Sequence, residues 1–378
     1  MTPDIIIKAP ASKSLGIRAA VCNFLSGNKG RIFNYPLCED ATNAKYALRS
    51  LEHAKQSIEL DCGESALFMR IISPVCALLG IDASIKTSGT LVNRPTGIDA
   101  ECLKALSSNG KLVGGKAELD ASITSQFLSG LLIALPLAKN DTTLTVKNLK
   151  SRPYVDTTIK LLSGYGIKIK EENSVFYIAG GQKYEAVDYI VEGDFSGASA
   201  ILVAGAIKRE IRVEDLYYKS SLQPEKAIVD VLKNCGAGIK IADNYVEVKP
   251  GDLRSFEYDV SDNPDLAPPL CALAVHCKGA SILKGIHRLK YKESDRALAL
   301  CKQFTKLGAD IKIVDDRIEI NGGTLTANRV NAHNDHRIVM ALAVAGINLG
   351  NELIIDGADR VKKSYPDFFN DLVKIKKA

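Results

Sequence analysis

The amino-acid sequence predicts an α/β (α+β) protein of two domains, each assembled from βαβαββ-like units. Three observations carry that expectation. The chain has 378 residues, 46% apolar and 25% charged, enough for a large core and more than one domain comfortably holds. The tripeptide Ile-Lys-Ile recurs at Ile167, Ile239 and Ile311, 72 residues apart each time (239 − 167 and 311 − 239). An acidic residue opening a small-residue apolar run recurs at nearly the same period, at Asp194, Asp265 and Asp335, in steps of 71 and 70 (265 − 194 and 335 − 265).

Each Ile-Lys-Ile follows a helical pattern that ends near a glycine (LLSGYG, VLKNCGAG, FTKLGAD) and precedes a polar turn and a second alternating strand (SVFYIAG, NYVEVKP, DRIEING). A glycine C-cap followed by two alternating segments predicts a helix and then a β-hairpin. The runs DFSGASAILVAGA, DLAPPLCALAV and DHRIVMALAVAG predict buried helices capped by Asp194, Asp265 and Asp335. Earlier helix starts fall near Ser14, Ser65 and Ser125. The sum is six units, each with a helix N-terminus, a second helix and a hairpin, divided three and three. Residues 217–224 (YYKSSLQP) are polar and carry a proline. They predict a crossover near residue 220, with a first domain of residues 12–219 and a second of residues 1–11 plus 220–378.

Composition removes several function classes. Lys and Arg total 49 against 44 Asp and Glu, a net charge of +5, too mild for a nucleic-acid binder. The longest apolar stretch, residues 127–138, is interrupted by Ser129, Gly130 and Pro136, so no membrane span is expected. The first four residues lack the features of a signal peptide, and a cytoplasmic location is expected. The nine cysteines are scattered and form no C-x-x-C, which predicts reduced core thiols. P-loop, dinucleotide-binding, H-E-x-x-H and G-x-S-x-G motifs are absent. His333 and His336 flank Asn334-Asp335 and read as part of a turn into a helix; no metal is expected.

What remains is a set of cationic, hydroxyl-rich helix starts. Residues 10–18 (PASKSLGIR) place Lys13, Ser14 and Arg18 on about one turn, with Ser14 and Arg18 on one face. Thr124, Ser125 and Gln126 open another helix, and Ser151 to Tyr154 (SRPY) follow a strand. Hydroxyls, backbone N–H groups and a lysine at helix N-termini form a cradle for oxyanions. Singly each is a plain cap; together they point to an anionic small molecule. In YKESDR, Lys292 and Arg296 stand four apart with Glu293 on an adjacent face. That pattern suits a solvated helix start, or a lysine–carboxylate pair for proton transfer beside an anion-clamping arginine. Asp335-His-Arg337 and the KKSYP stretch at 362–366 add cations.

In this order, SKSLGIR, CGESALFMR, LVNRPTGI, ITSQFLSGLL, SRPYVDTT, VEGDFSGASAIL, NPDLAPPLCALA, LKYKESDR, NDHRIVMAL and KKSYPDFF resemble the EPSP synthase family, the 3-phosphoshikimate 1-carboxyvinyltransferases. The resemblance spans nearly the whole chain. It implies the enolpyruvyl transferase fold, with three βαβαββ units per domain around a pseudo-threefold axis. It implies transfer of the enolpyruvyl group of phosphoenolpyruvate to the 5-hydroxyl of shikimate 3-phosphate, on the route to chorismate and the aromatic amino acids, without a cofactor. Carried over by position, Lys13, Ser14, Arg18, Thr124, Ser125, Gln126, Ser151, Tyr154, Asp265 and Lys292 would bind shikimate 3-phosphate. Lys13, Arg70, Arg94, Gln126, Arg296, Arg337 and Lys363 would bind phosphoenolpyruvate. Asp265, Lys292 and Glu293 would share the acid–base work, on a monomer whose domains close around the substrates. The eight cations named, less Asp265 and Glu293, come to +6 (8 − 2) against +5 for the chain, so the net charge is expected to be concentrated at these residues.

Three departures from the family pattern stand out. Ala66 and Leu67 replace a glycine and a threonine of the phosphoenolpyruvate loop, and the added methyl predicts weak binding of glyphosate. Arg288 stands where many members have asparagine. The stretch between Leu51 and Asp61 is too short for the usual hairpin of that unit. A UDP-N-acetylglucosamine enolpyruvyl transferase would carry a cysteine in a glycine-rich loop, which this chain lacks. An RNA 3′-phosphate cyclase would be more basic, and a catalytically dead relative would have lost Asp265, Lys292, Glu293 or Arg337.

Overall fold

The computed structural model describes residues 3–349 and 353–377. It divides into two compact units, one of Lys13–Val191 and one of Met1–Ser12 with Glu192–Ala378. The return between them, expected near residue 220, comes at 191/192. Residues from Phe195 to Leu216 bury their apolar side chains in the same core as the C-terminal half, which ties them to that unit. The stretch at 217–224 is a turn on it, with the Tyr218 hydroxyl donating to Asp230.

Strand β1 (Ile6–Lys8) comes first. The unit Lys13–Val191 then runs α1 (Lys13–Leu25), β2 (Ile32–Phe33), α2 (Glu39–Leu51), β3 (Ser57–Asp61), α3 (Ala66–Leu79), β4 (Asp82–Lys86), α4 (Ala100–Ala105), β5 (Ser107–Ser108), β6 (Lys111–Leu112), β7 (Gly115–Asp120), α5 (Gln126–Ala134), β8 (Thr142–Lys147), α6 (Arg152–Gly164), β9 (Ile169–Glu172), β10 (Val175–Ile178) and β11 (Tyr189–Ile190). Strands β7 and β8 pair in parallel, and β8 pairs with the β9–β10 hairpin in the order β7-β8-β10-β9. Strands β3 and β4 form a second parallel pair around α3. The third pair, β2 with β11, joins the two ends of the unit.

In the other unit the chain runs α7 (Phe195–Lys208), β12 (Ile211–Glu214), α8 (Ala227–Asn234), β13 (Gly238–Ile241), β14 (Tyr245–Lys249), β15 (Glu257–Asp259), α9 (Ala267–Ala274), β16 (Ala280–Lys284), α10 (Arg296–Lys306), β17 (Asp310–Val314), β18 (Arg317–Asn321), β19 (Arg329–Asn331), α11 (His336–Ala345), β20 (Ile354–Asp356) and α12 (Phe368–Lys377). Two sheets repeat the order seen above, β1-β12-β14-β13 and β15-β16-β18-β17, and β19 pairs in parallel with β20. The three Ile-Lys-Ile segments enter β9, β13 and β17, the first strands of the three hairpins. Not every unit carries a hairpin: α2 leads within a few residues into β3, the loss expected from the short stretch after Leu51.

Each unit is built around three central helices that are apolar on nearly all sides, as fully enclosed helices must be. These are α1, α3 and α5 in one and α7, α9 and α11 in the other; every residue of α9 and α11 is buried. Gly130 lets α5 close on α3, because a Cβ there would lie 2.7 Å from the Arg70 carbonyl oxygen and 2.9 Å from Ile71 Cα. The cysteines are all free and all but Cys301 are buried. Among the described residues no helix is long and apolar enough to cross a membrane.

Candidate active site

In both units the polar residues singled out above gather where parallel strands hand over to helices, the usual place for ligand sites in α/β folds. Within Lys13–Val191, α1 begins at Lys13. The Lys13 ammonium donates to Asp40 Oδ2 at 2.9 Å. Arg18 is fully buried; its Nε donates to Thr158 Oγ1 at 2.8 Å, and its Nη1 to the Ser14 hydroxyl at 2.6 Å. Thr158 in turn donates to Ser129 Oγ at 3.1 Å. Ser14 and Arg18 therefore do share a helix face, and the arginine is fixed by hydroxyls.

Arg70, on the second turn of α3, donates to three neutral oxygens. Nε donates to the Thr96 carbonyl at 2.5 Å, Nη2 to the Pro95 carbonyl at 2.7 Å, and Nη1 to Gln126 Oε1 at 2.7 Å. The loop at 94–97 that supplies those carbonyls turns at Gly97, whose φ is +63°; Arg94, which precedes it, is half-buried. Thr124 Oγ1 accepts the Gln126 N–H at 3.2 Å and so caps α5. Ser151 stands just before α6 with φ +54°, a left-handed conformation that costs a serine about 1–2 kcal/mol. Its carbonyl accepts the Ser125 hydroxyl at 3.4 Å, and Tyr154 follows on the first turn of α6.

In the other unit the acid–base candidates meet. Asp265 Oδ1 takes Arg296 Nη1 at 2.7 Å and Lys292 Nζ at 3.2 Å, and its Oδ2 lies 3.3 Å from Arg337 Nη2. Arg296, 1% exposed, also binds Glu293 at 2.8 Å and Asp335 at 2.8 Å. Asp335 is fully buried; it caps α11 through the Arg337 N–H at 2.9 Å and accepts the Ser294 hydroxyl at 3.1 Å. Burial opposes ionisation of Asp265, yet Lys292, Arg337 and Arg296 hold its carboxyl well below the usual range. Burial pushes the Lys292 ammonium below its ordinary pKa; Asp265 works against that and Arg296 and Arg288 add to it. Lys363 is buried at the end of the 3₁₀ turn Ala358–Lys363. Among the described residues no group of three or more His, Cys, Asp and Glu side chains could hold a metal ion.

Two local expectations are corrected. Asp265 does not cap a helix: it lies within the 3₁₀ turn Pro264–Leu266, ahead of α9, so its carboxylate is left for the three cations. YKESDR is not a helical turn either. A 3₁₀ turn ends at Tyr291, Lys292 is extended, and α10 begins only at Arg296 with Asp295 as its cap. Glu293 reaches Arg296 across that loop rather than along a helix face.

Sequence reasoning passed over Asp40, Thr158 and Ser196, and read Asp335 as a cap alone. Asp335 was the findable one, since the repeat sets it in register with Asp265. The others bond partners 27, 140 and 141 residues away in the chain, and no local pattern marks them.

A family model described as EPSP synthase (3-phosphoshikimate 1-carboxyvinyltransferase) matches residues 53–372. The 3-phosphoshikimate 1-carboxyvinyltransferase of Clostridium perfringens (strain SM101 / Type A) is 35% identical over 97% of this chain and 94% of its own length. That of Methanosarcina mazei is 39% identical over 83% of this chain and 78% of its own. A solved EPSP synthase structure from Acinetobacter baumannii, 21% identical, covers 99% of this chain and 96% of its own with a TM-score of 0.78, a likeness of fold. The chain belongs to the EPSP synthase family.

Proposed function

We propose that the chain transfers the enolpyruvyl group of phosphoenolpyruvate to the 5-hydroxyl of shikimate 3-phosphate, releasing phosphate, as a monomer in the cytoplasm. The observation that carries this reading is the cluster of Asp265, Lys292, Glu293, Arg296 and Arg337. It sets two carboxylates of different surroundings among buried cations, which suits a reaction with two proton transfers beside an anionic substrate. Asp265 takes the proton of the attacking hydroxyl, assisted by Lys292. Glu293 delivers a proton to the methylene carbon, giving a tetrahedral intermediate with a methyl group. In the elimination Glu293, ionised by the first step, takes a proton back from that methyl, the C–O bond to phosphate breaks as the proton held by Asp265 passes to the leaving phosphate, and the enol ether forms.

Arg296, Arg337 and Lys363 with Lys13, Arg70, Arg94 and Gln126 receive phosphoenolpyruvate. Lys13, Ser14, Arg18, Thr124, Ser125, Gln126, Ser151 and Tyr154 with Asp265 and Lys292 receive shikimate 3-phosphate. A carboxylate surrounded by three cations is a weak base. Phosphoenolpyruvate offsets the field of Arg296 and Arg337, so its arrival raises the basicity of Asp265 at the step that needs it. The test is phosphate release from purified protein. It should require phosphoenolpyruvate and shikimate 3-phosphate together; no release with that pair, or release with UDP-N-acetylglucosamine in place of shikimate 3-phosphate, overturns the assignment.

A further inference from the structure

The two arginines that flank Asp265 are held in opposite ways. Arg296 binds three carboxylates, Asp265, Glu293 and Asp335. Among the described residues Arg337 forms an ion pair with Asp265 alone, at 3.3 Å, and its remaining hydrogen bonds go to one neutral residue. Its Nη1 donates to the Ser196 carbonyl at 2.9 Å and its Nη2 to the Ser196 hydroxyl, while its buried Nε finds no acceptor. Ser196 is itself fixed on the first turn of α7. It is buried, Asp194 Oδ1 accepts its N–H at 3.3 Å, and its carbonyl also takes the Ser199 hydroxyl at 2.8 Å.

We infer that Ser196 is the positioning residue of Arg337, a neutral fork that fixes the guanidinium beside Asp265 without neutralising it. A carboxylate in that place would hold the arginine as firmly but cancel the charge that attracts an anion; serine supplies the geometry alone. The inference rests on the assignment of Arg337 to phosphoenolpyruvate. A purely structural Ser196 would affect melting temperature and leave the two substrates indistinguishable.

Steady-state kinetics of Ser196→Ala, Ser196→Thr and Ser196→Asp test this. Loss of one hydrogen bond to a charged group, with the carbonyl contact retained, should raise KM for phosphoenolpyruvate about tenfold. KM for shikimate 3-phosphate and kcat should stay within about threefold, and threonine, which keeps the hydroxyl, should restore the parent KM. Aspartate should raise that KM by more than alanine does, and it decides the matter if the alanine variant does not fold. Unchanged KM for phosphoenolpyruvate in the alanine and aspartate variants, an equal rise for both substrates, or a loss confined to melting temperature overturns the inference. Failure of the parent enzyme to release phosphate would instead overturn the function, before any variant is made.

Discussion

Replacing Asp265 by asparagine keeps the side chain's shape and removes the charge shared by Lys292, Arg296 and Arg337. Arg296 retains Glu293 and Asp335, but Lys292 and Arg337 lose the carboxylate they pair with at 3.2 and 3.3 Å. A positioned general base is worth about 10²–10⁴ in rate, or roughly 3–5.5 kcal/mol at the barrier. We expect kcat of Asp265→Asn to fall by that factor. KM for phosphoenolpyruvate should not rise, because the cations that receive it become less neutralised. Breaking one partner of a fully buried ion pair costs about 3–5 kcal/mol. Asp265 is 23% exposed, which places the loss nearer the roughly 1–3 kcal/mol of an unsatisfied buried group.

Since the folded protein holds the Asp265 carboxyl below its unfolded value, its charge stabilises the fold above about pH 4 and that contribution fades as pH falls through the folded value. The stability gap between parent and variant should thus be flat from about pH 5 to 8 and narrow in acid. Inorganic phosphate should raise the melting temperature of the variant more than that of the parent, as an anion filling the vacated role. Chemical denaturation across pH, with phosphate-release kinetics, reads all of these. A kcat within threefold of the parent would refute the assignment of Asp265 as base.

Lys292→Arg fixes the charge that burial makes titratable, so the alkaline limb of kcat, below the ordinary lysine range in the parent, should move to higher pH; an unmoved limb removes Lys292 from the proton traffic. Gly97→Ala forces a side chain into φ +63°, with its Cβ 2.5 Å from Thr124 Cγ2 and 3.2 Å from Arg70 Nε. It should cost about 1–2 kcal/mol in urea unfolding and raise KM for phosphoenolpyruvate, and parent-like values of both would refute the role of that loop in placing Arg70. Ala66 is buried on the first turn of α3, beside the Ser65 cap. The parent should resist glyphosate and Ala66→Gly should bind it about tenfold more tightly, about 1.4 kcal/mol; equal inhibition of the two would show that the methyl does not narrow the site.

Periodicity made the architecture legible, and where it failed the cause is local. The three hairpins announced themselves through Ile-Lys-Ile, because alternation and a glycine cap are properties of a short segment. Asp265 was misplaced because an acid before an apolar run is the signature of a cap, and the 3₁₀ turn that Pro264 opens ahead of α9 does not alter that signature. Lys292 and Arg296 looked helical from their spacing. The 3₁₀ turn Ile286–Tyr291 consumes the residues that would have begun the helix, and the loop after it lets Glu293 face Arg296. The break at 191/192 left no linker signal, since Asp194 is already the cap of the next central helix.

Charge is where sequence and structure diverge most usefully. The expected substrate-binding residues summed to more than the whole net charge of +5, but Asp40 and Asp335 lie among them, against Lys13 and Arg296. Counting these two acids with Asp265 and Glu293, the named residues of the two units come to eight cations and four carboxylates, +4 (8 − 4). The sum matters less than its distribution. Lys13 and Arg296 are oriented by carboxylates, which spend much of their charge on holding them still. Arg337 pairs with one carboxylate, Asp265, and is otherwise oriented by the neutral Ser196. Neutral acceptors fix a guanidinium nearly as well while leaving its field for the ligand. On that ground Arg337 should weigh more in the affinity for phosphoenolpyruvate than Arg296, which should act chiefly by setting the places of Asp265 and Glu293.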